Sequence, residues 1–379
     1  MADEQLLFHG ARLDPQQTTR VLDHLFQTNL KLAETGRRGS PICIWGLHGI
    51  GKTSLVQEYA RQQDPPWKFA YCAPAQFEEM GDLHGLPTRI DPDPNVTGDE
   101  YTTFLPPDWV PTEEGPGILL LDDINRADDR ILRGLMQLLQ NFEMFSWSLP
   151  VRWQIVATAN PEGGDYSVTP MDDAMLTRMM HITMNFDVKA WAAWALTTDV
   201  DTRGIDFVLT YPESVTGGRT TPRTLCQFFD SIKDINDLKA EIEMVNVLAQ
   251  SCLDEVTVAD FLAFVKDNLE QLISPEEILE AEKFVSIAAR ITALAKGEGD
   301  AKRVDRLATI CTRLYLHMAS DHYKAEAAHQ PNLVGFLTHK ELPNDLRFSL
   351  HKDLVALKKD SVTKMMRDKK LADLVLMGM

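Results

Sequence analysis

The sequence predicts an α/β fold in which a parallel sheet flanked by helices comes first and an all-helical region follows. Two observations predict this fold class. Between residues 41 and 185, short apolar runs alternate with segments of helical periodicity, which is typical of a parallel sheet covered by helices on both faces. From Asp187 onward the strand pattern disappears, and apolar residues recur at helical spacing.

The elements of the sheet region follow in chain order. Residues 14–33 carry apolar side chains three and four positions apart, which predicts a helix packed beside the sheet. Five apolar runs predict a five-stranded parallel sheet, at residues 41–45, 67–72, 117–121, 153–158 and 180–185. Helical patterns lie at residues 130–140 and 172–179. Residues 88–114 are rich in proline and acidic side chains and lack periodicity, so a long surface loop is expected there.

The second region is predicted to be helical throughout. Helices are expected at residues 187–197, 220–233, 238–250 and 258–272. Another is expected to begin after Ser274, because Ser274 can cap it, Pro275 suits the first helical position and Glu277 completes a capping box. Helical patterns continue to the end of the sequence.

Composition and charge limit the classes of function. The net charge is −18, which argues against non-specific binding of nucleic acid to the outer surface. Residues 351–370 carry seven Lys or Arg against three Asp, and this stretch could contact a polyanion or an acidic neighbour, or form the solvated face of an amphipathic helix. An acidic start and the lack of apolar runs near the roughly 20 residues of a membrane span predict a cytoplasmic protein without membrane contact. The five scattered cysteines are expected to be reduced and structural.

A phosphate-binding loop is the most specific motif in the chain. Residues 46–53 read GLHGIGKT, which fits G-x-x-x-x-G-K-[ST] between an apolar run and a helical pattern. Glycines there let main-chain N–H groups approach an anion at the positive end of a helix. Lys52 would reach the terminal phosphates, Thr53 would bind Mg²⁺, and His48 would face solvent or pack locally. The residues expected to contact the nucleotide are Gly46, His48, Gly49, Ile50, Gly51, Lys52, Thr53 and Ser54. The alternative is an ordinary glycine-rich turn.

Acidic and amide side chains follow two later strands. Asp122 and Asp123 end the run ILLLDD, so Asp122 is predicted to orient Mg²⁺ or its waters, and Asp123 to position or deprotonate an attacking water. Asn160 ends the next run and could hold the same water, although Asn-Pro alone is also a turn signal. Without the loop upstream, the two aspartates would suggest only an acidic turn. Metal-ligand spacing of histidines is lacking, so Mg²⁺-dependent phosphoryl chemistry is expected.

These motifs resemble the AAA+ ATPases and, within them, the MoxR-like branch. The resemblance covers residues 41–229. Residues 81–87 resemble that branch's loop after the second strand, 121–127 resemble its D-E-[IL]-N-R-A motif, and 157–161 resemble A-T-x-N-P. Residues 106–111 and 191–194 look like a subgroup often paired with proteins that bear a von Willebrand factor type A domain.

The resemblance implies a fold, an activity and partners. It implies an AAA+ nucleotide-binding domain at residues 1–186, a helical lid at 187–273 and a helical extension at 274–379. It further implies that ATP and Mg²⁺ drive a homo-oligomer, expected to be a hexameric ring, that remodels or activates a protein partner such as a type A domain protein. Two alternatives stay open: a nucleic-acid-linked motor for restriction, loading or packaging, and a nucleotide-gated assembly protein with slow hydrolysis.

The resemblance also gives roles to arginines and aromatic residues. Arg178 resembles the finger projected into a neighbour's ATP, and Arg223 resembles the second sensor, although each could be an ordinary arginine at a helix end. Arg126 is either an intersubunit contact or a salt bridge to Asp122 or Asp129. In the segment 143–150, Phe145 and Trp147 could line a central pore or belong to a packed hairpin.

Two departures from the family pattern affect these expectations. The family usually has Glu where this chain has Asp123, whose side chain is one methylene shorter, so slower hydrolysis is predicted. Thr177 and Met179 flank Arg178 where the family has D-R-F, which weakens the resemblance at the finger.

Overall fold

The computed structural model describes residues 6–92, 98–163, 167–216, 218–267, 272–296, 302–320 and 322–371. The chain divides into two units, Met1–Asp187 and Val188–Met379. The first contains the strands and the second is helical, which confirms the predicted α/β class with a helical region after it. The further division of the second unit into a lid and an extension stays a prediction.

The first unit is built on a parallel sheet of six strands in the order β1-β10-β2-β9-β6-β3. The strands of this unit are β1 (Ala11–Leu13), β2 (Ile42–Trp45), β3 (Lys68–Cys72), β4 (Leu86–Ile90), β5 (Tyr101–Leu105), β6 (Gly117–Leu121), β7 (Glu143–Met144), β8 (Trp147–Ser148), β9 (Trp153–Ala159) and β10 (Met180–Met184). The prediction of a five-stranded sheet therefore omitted one strand, β1. β1 was missed because three residues, two of them exposed, give no periodic signal.

Helices cover the sheet on both faces. They are α1 (Pro15–Glu34), α2 (Lys52–Gln62), α3 (Met80–His84), α4 (Asp129–Asn141) and α5 (Asp173–Leu176). In β6, Ile118 and Leu120 pack into one apolar cluster with α1 and α2, whereas Leu119 and Leu121 pack into another with α4. Burial on both faces explains why the central strands appear in the sequence as continuous apolar runs.

The predicted long loop at residues 88–114 is wrong in its first part. β4 and β5 form an antiparallel hairpin that pairs Leu86 with Leu105 and Ile90 with Tyr101. Leu86, Tyr101 and Leu105 are exposed. Because this hairpin buries neither face in the core, it lacks the apolar–polar alternation by which a strand is found in a sequence.

The second unit consists of helices. They are α6 (Val188–Thr197), α7 (Thr202–Thr210), α8 (Pro222–Ile232), α9 (Ile242–Cys252), α10 (Glu255–Lys266), α11 (Pro275–Leu279), α12 (Phe284–Leu294), α13 (Val304–Ala319), α14 (His329–Leu337), α15 (Asn344–Ala356) and α16 (Asp360–Met365). Ser274 caps α11 through the predicted capping box. An apolar cluster joins α11 to α16.

Two further features concern the cysteines and the lengths of the helices. All five cysteines are free thiols, three of them buried. Within the described residues, every helix is too short or too polar to cross a bilayer.

Candidate functional site

Three neighbouring strands bring the predicted site residues to one edge of the sheet. β2, β9 and β6 lie side by side and parallel, so their carboxyl ends meet. Residue 46 follows β2, Asn160 follows β9, and Asp122 follows β6. Ligands of open parallel sheets bind at this edge.

The loop between β2 and α2 has the backbone that its glycines allow. Gly49 and Gly51 have φ angles of 71° and 96°, and Gly51 is the N-cap residue immediately before α2. A Cβ at Gly46 would lie 2.7 Å from the main-chain oxygen of Met184. Each glycine therefore meets a requirement of this turn, which leaves main-chain N–H groups at the N-terminus of an 11-residue helix.

Lys52 lies over this loop. Its side chain is 5% exposed, and Nζ donates hydrogen bonds to the oxygens of Gly46 at 2.8 Å and Leu47 at 3.0 Å. It also donates to Oδ1 of Asn160 at 3.3 Å. The ammonium group is thereby held at the junction of the loop and β9, the place where phosphate oxygens would lie.

The remaining loop positions differ in exposure. His48 and Ser54 are exposed, and Ile50 and Thr53 are partly buried. The exposed position of His48 agrees with its place as a variable residue of the pattern.

Asp122 accepts hydrogen bonds from three hydroxyl groups. Thr53 and Thr158 each donate to Oδ1 at 2.7 Å, and the Tyr71 hydroxyl donates to Oδ2 at 3.1 Å. These hydroxyls come from α2, β9 and β3, so the carboxylate is fixed to three elements at once.

Asp123 has both carboxylate oxygens engaged. Its φ and ψ angles of 49° and 45° are left-handed, which turns its side chain away from that of Asp122. Asn160 donates from Nδ2 to Oδ1 at 2.9 Å, and Arg126 Nε lies 3.2 Å from Oδ2. Arg126 thus forms a local salt bridge, but with Asp123 rather than with either expected partner, Asp122 or Asp129.

Asn160 is held in place by a second asparagine. Both side chains are fully buried. Asn125 donates from Nδ2 to the main-chain oxygen of Asn160 at 2.8 Å, and its Oδ1 accepts from the main-chain nitrogen of Asn160 at 3.1 Å. The Asn160 amide is therefore aligned between Lys52 and Asp123.

Sequence reasoning missed Tyr71, Thr158 and Asn125. Thr158 could have been found, because it is a polar residue inside an apolar strand, two positions before Asn160. Asn125 lies within the 121–127 motif, which marks the position but not its contact with Asn160. Tyr71 has no comparable signal, since its contact depends on how β3 packs beside β6.

Arg178 does not belong to this cluster of side chains. Arg178 precedes β10, and the Met180 nitrogen donates to the oxygen of Pro41 just before β2, so Arg178 lies at the opposite edge of the sheet from Lys52. Its guanidinium Nε donates to Gln140 Oε1 at 3.2 Å, and Nη1 contacts the oxygen of Ala174. Arg223 belongs to the second unit, exposed in the first turn of α8.

The hairpin of β7 and β8, which follows α4, places Phe145 and Trp147 in different environments. Trp147 is 9% exposed, its Nε1 donates to the oxygen of His84, and its ring packs edge-on against Trp109. Phe145 is 60% exposed and lies 5.1 Å from the Phe104 ring. The hairpin is therefore packed at Trp147, which contradicts a pore-lining role for that residue, and exposed at Phe145.

The donor set suits Mg²⁺. Thr53 and Asp122 offer oxygen atoms, which are the ligands this ion prefers, and Mg²⁺ held with nucleotide phosphates needs only one or two protein ligands. Groups of three or more His, Cys, Asp or Glu placed to hold a metal are lacking in the described part of the chain.

Comparison with known proteins gives one family match, which lies within the first unit. Residues 41–179 match the AAA domain of the dynein-related subfamily. Searching proteins with curated descriptions gave no match. A solved structure of the RuvB Holliday junction branch migration motor of Thermotoga maritima is 16% identical with a TM-score of 0.35, over 76% of this chain and 86% of that one. NtrX of Brucella abortus in complex with ADP is 16% identical with a TM-score of 0.36, over 90% of this chain and 69% of that one. Similarity at this level carries no argument about activity.

Proposed function

We propose that the chain is a Mg²⁺-dependent ATPase that works as a ring and remodels or activates a protein partner, which the match of residues 41–179 to the AAA domain of the dynein-related subfamily supports. One observation carries the proposal. At one edge of the sheet, the side chains of Lys52, Asn160 and Asp123 are linked by hydrogen bonds, and Thr53 donates to Asp122. The Thr158 hydroxyl connects the two groups, because it donates to Asp122 and accepts from the main-chain nitrogen of Asp123.

The loop would bind the triphosphate. Main-chain N–H groups around Gly49 and Gly51 would hold the phosphates, and Lys52 would exchange its bonds to loop carbonyls for bonds to phosphate oxygens. Thr53 and Asp122 would hold the metal, which when bound neutralises charge on the β- and γ-phosphates.

Asp123 and Asn160 would prepare the attacking water. The Asp123 carboxylate accepts a proton or a hydrogen bond from that water, and the Asn160 amide orients it. Because Asn160 contacts both Lys52 and Asp123, it is placed to couple phosphate binding to the position of the water.

Arg178 would complete the site of a neighbouring subunit. β2 spans Ile42–Trp45, and at about 3.3 Å per residue Arg178 lies roughly 13 Å or more from the loop of its own chain. A guanidinium at the far edge can reach the ATP of a neighbour in a head-to-tail ring. Arg223, on α8, would act as the second sensor for the chain's own ATP.

The partner is proposed from sequence resemblance at residues 106–111 and 191–194. These segments favour a protein with a von Willebrand factor type A domain as the molecule that the ring remodels. An Asp123→Asn trap, loaded with ATP, would hold that partner, and a type A domain protein should co-purify with the trap and not with Lys52→Ala.

The activity itself is tested by two variants. Lys52→Ala should lose affinity for ATP because it removes the phosphate-binding cation. Asp123→Asn should keep ATP affinity and lower turnover by about 10²–10⁴-fold, the usual contribution of a general base. Asp129→Asn is the control, because this exposed carboxylate of α4 pairs with Arg133. Normal turnover in Asp123→Asn would remove Asp123 from the mechanism.

A second candidate function is favoured by the state of Asp123. Both of its oxygens are engaged, and its side chain is shorter than glutamate. These features support a nucleotide-gated assembly protein in which ATP is mostly structural. Formation of a ring on ATP addition with negligible phosphate release would select this candidate.

A further inference from the structure

The metal-binding carboxylate proposed above is held by a residue outside the expected motifs. Asp122 Oδ1 accepts hydrogen bonds from Thr53 and Thr158, and Oδ2 accepts one from Tyr71. A carboxylate has about four acceptor positions, two on each oxygen. Three of the four are therefore occupied, and the remaining position is on Oδ2, beside the Tyr71 hydroxyl.

The bonds to Oδ1 are compatible with a bound metal. The Thr53 hydroxyl has one hydrogen to donate to Asp122 and keeps lone pairs for a cation. Thr158 lies on β9, fully buried, and also accepts a hydrogen bond from the Asp123 nitrogen at 2.8 Å. Oδ1 is thus saturated by protein hydroxyls, and Oδ2 is left to meet the metal or one of its waters.

Tyr71 is well placed to fix Oδ2. It lies on β3, next to β6, where the main-chain nitrogen of Asp122 donates to the oxygen of Cys72 at 2.8 Å. Phe69, two residues earlier and on the same face of β3, packs against the cluster that contains the α2 residues Val56 and Tyr59. The Tyr71 ring therefore emerges on the α2 face, with the side chain 49% exposed.

We propose that Tyr71 is a positioning residue for the metal: its hydroxyl fixes the Asp122 carboxylate so that one acceptor position on Oδ2 faces Mg²⁺ or a Mg²⁺-bound water. This inference rests on the proposed function of the same site. Outer hydrogen bonds of this kind orient metal ligands, and their loss typically lowers metal affinity or activity by about 10–100-fold.

The experiment is a metal titration of Tyr71→Phe. This change removes the hydroxyl and keeps the half-exposed ring, so the fold should be preserved. The probe is Mn²⁺ in place of Mg²⁺, followed by electron paramagnetic resonance in the presence of ADP, and ADP affinity is measured separately in EDTA. We expect Mn²⁺ affinity to fall by about tenfold or more, with ADP affinity in EDTA unchanged.

The matched control is Tyr59→Phe. The Tyr59 hydroxyl donates to Asp23 Oδ1 at 2.9 Å, so this variant also removes a tyrosine–aspartate hydrogen bond, but one between α2 and α1. It should bind Mn²⁺ and ADP as the parent chain does. Unchanged or tighter Mn²⁺ binding by Tyr71→Phe would overturn the inference about Tyr71 without affecting the proposed function. Failure of the parent chain to bind ADP with Mn²⁺ would instead overturn the proposed function.

Discussion

Asp123 shows how a single residue can limit the rate of this site. Its Oδ2 atom lies 3.2 Å from Arg126 Nε, and its Oδ1 atom accepts from Asn160. Both oxygens are therefore engaged by protein groups, and an attacking water has to compete with Arg126 and Asn160 for the carboxylate. From this resting geometry we expect slow hydrolysis in the proposed ATPase.

Removing Arg126 should accelerate basal hydrolysis. Arg126→Ala frees Oδ2 of Asp123, so steady-state phosphate release per subunit should rise several-fold, while Arg126→Lys should lie in between. Arg130→Ala, which removes a neighbouring exposed arginine paired with Asp128, is the control. A fall in rate for Arg126→Ala would indicate that Arg126 serves a neighbouring subunit.

Asn125 should matter for turnover more than for nucleotide affinity. Asn125→Ala removes both hydrogen bonds to the Asn160 main chain and should lower kcat at least tenfold, at a stability cost of about 1–3 kcal/mol. Asn29 offers a control, because it bonds the main chain of Ser40 in the same reciprocal way and also donates to Gln154 Oε1 near the start of β9, at the end away from Asn160. Asn29→Ala should lose comparable stability, measured by urea unfolding, and keep kcat. Equal kcat losses in the two variants would make Asn125 merely structural.

For single residues, the sequence predicts which side chains belong to the site better than it predicts what those side chains contact. Spacing and residue type single out Lys52, Thr53, Asp122 and Asn160, and the structure places them together, although their roles stay predictions. The partners of Asp122 and Asn160 come from separate elements, so no local pattern marks them. The Arg126 partner was missed because the left-handed turn at Asp123 brings that side chain back towards residue 126.

Helices and strands were predictable from the sequence where burial imposes a regular spacing of apolar residues. The central strands and most long helices follow the apolar pattern, because their side chains pack against a core. β1 and the β4–β5 hairpin were missed because they bury few side chains. Helix α7 was missed as well, although six of its residues are buried.

Helix α7 carries a pH-dependent contribution to stability. Burial raises the pKa of Asp206 to about 7, aided by nearby Asp201 and opposed by Arg313 on α13, whose Nε lies 3.2 Å from Oδ1. An unfolded aspartate titrates near 3.9. The folded chain thus holds a proton that the unfolded chain has released, so this contribution is complete below about pH 4 and is lost as the pH rises through about 7.

The Asp206→Asn variant should flatten this dependence. An amide stays neutral at every pH, so the melting temperature of the variant should fall less between about pH 5 and about pH 8 than that of the parent chain. Thermal unfolding followed by circular dichroism measures the difference. Parallel curves for the two proteins would show that Asp206 is ionised throughout this range.

The whole molecule is expected to be active only as an assembly. Arg178 and Lys52 lie at opposite edges of one sheet, so a single chain cannot bring them to the same phosphate without unfolding. The sequence supplied this idea only through resemblance. The parallel pairing of β10 with β2 adds a geometric reason. Arg178 precedes β10 and so lies where β2 begins, whereas Lys52 lies beyond the residue at which β2 ends.

Mixing two inactive variants should restore activity. Lys52→Ala keeps Arg178, and Arg178→Ala keeps the phosphate-binding loop. An interface is therefore intact when the loop comes from an Arg178→Ala subunit and the arginine comes from a Lys52→Ala neighbour. Random mixing in equal amounts gives about a quarter of the parent activity if each interface acts independently. Arg133→Ala, another exposed arginine, should be active alone. A mixture as inactive as its components would exclude the shared site.

The two hydrogen bonds of the Asn160 amide group would impose an order of events on the proposed catalytic cycle. Its oxygen accepts from the Lys52 ammonium while its nitrogen donates to Asp123. An incoming γ-phosphate that draws the ammonium away leaves the amide oxygen free to accept from a solvent molecule beside Asp123. In the proposed ATPase, hydrolysis would therefore become possible only after ATP has bound and drawn Lys52 away from Asn160.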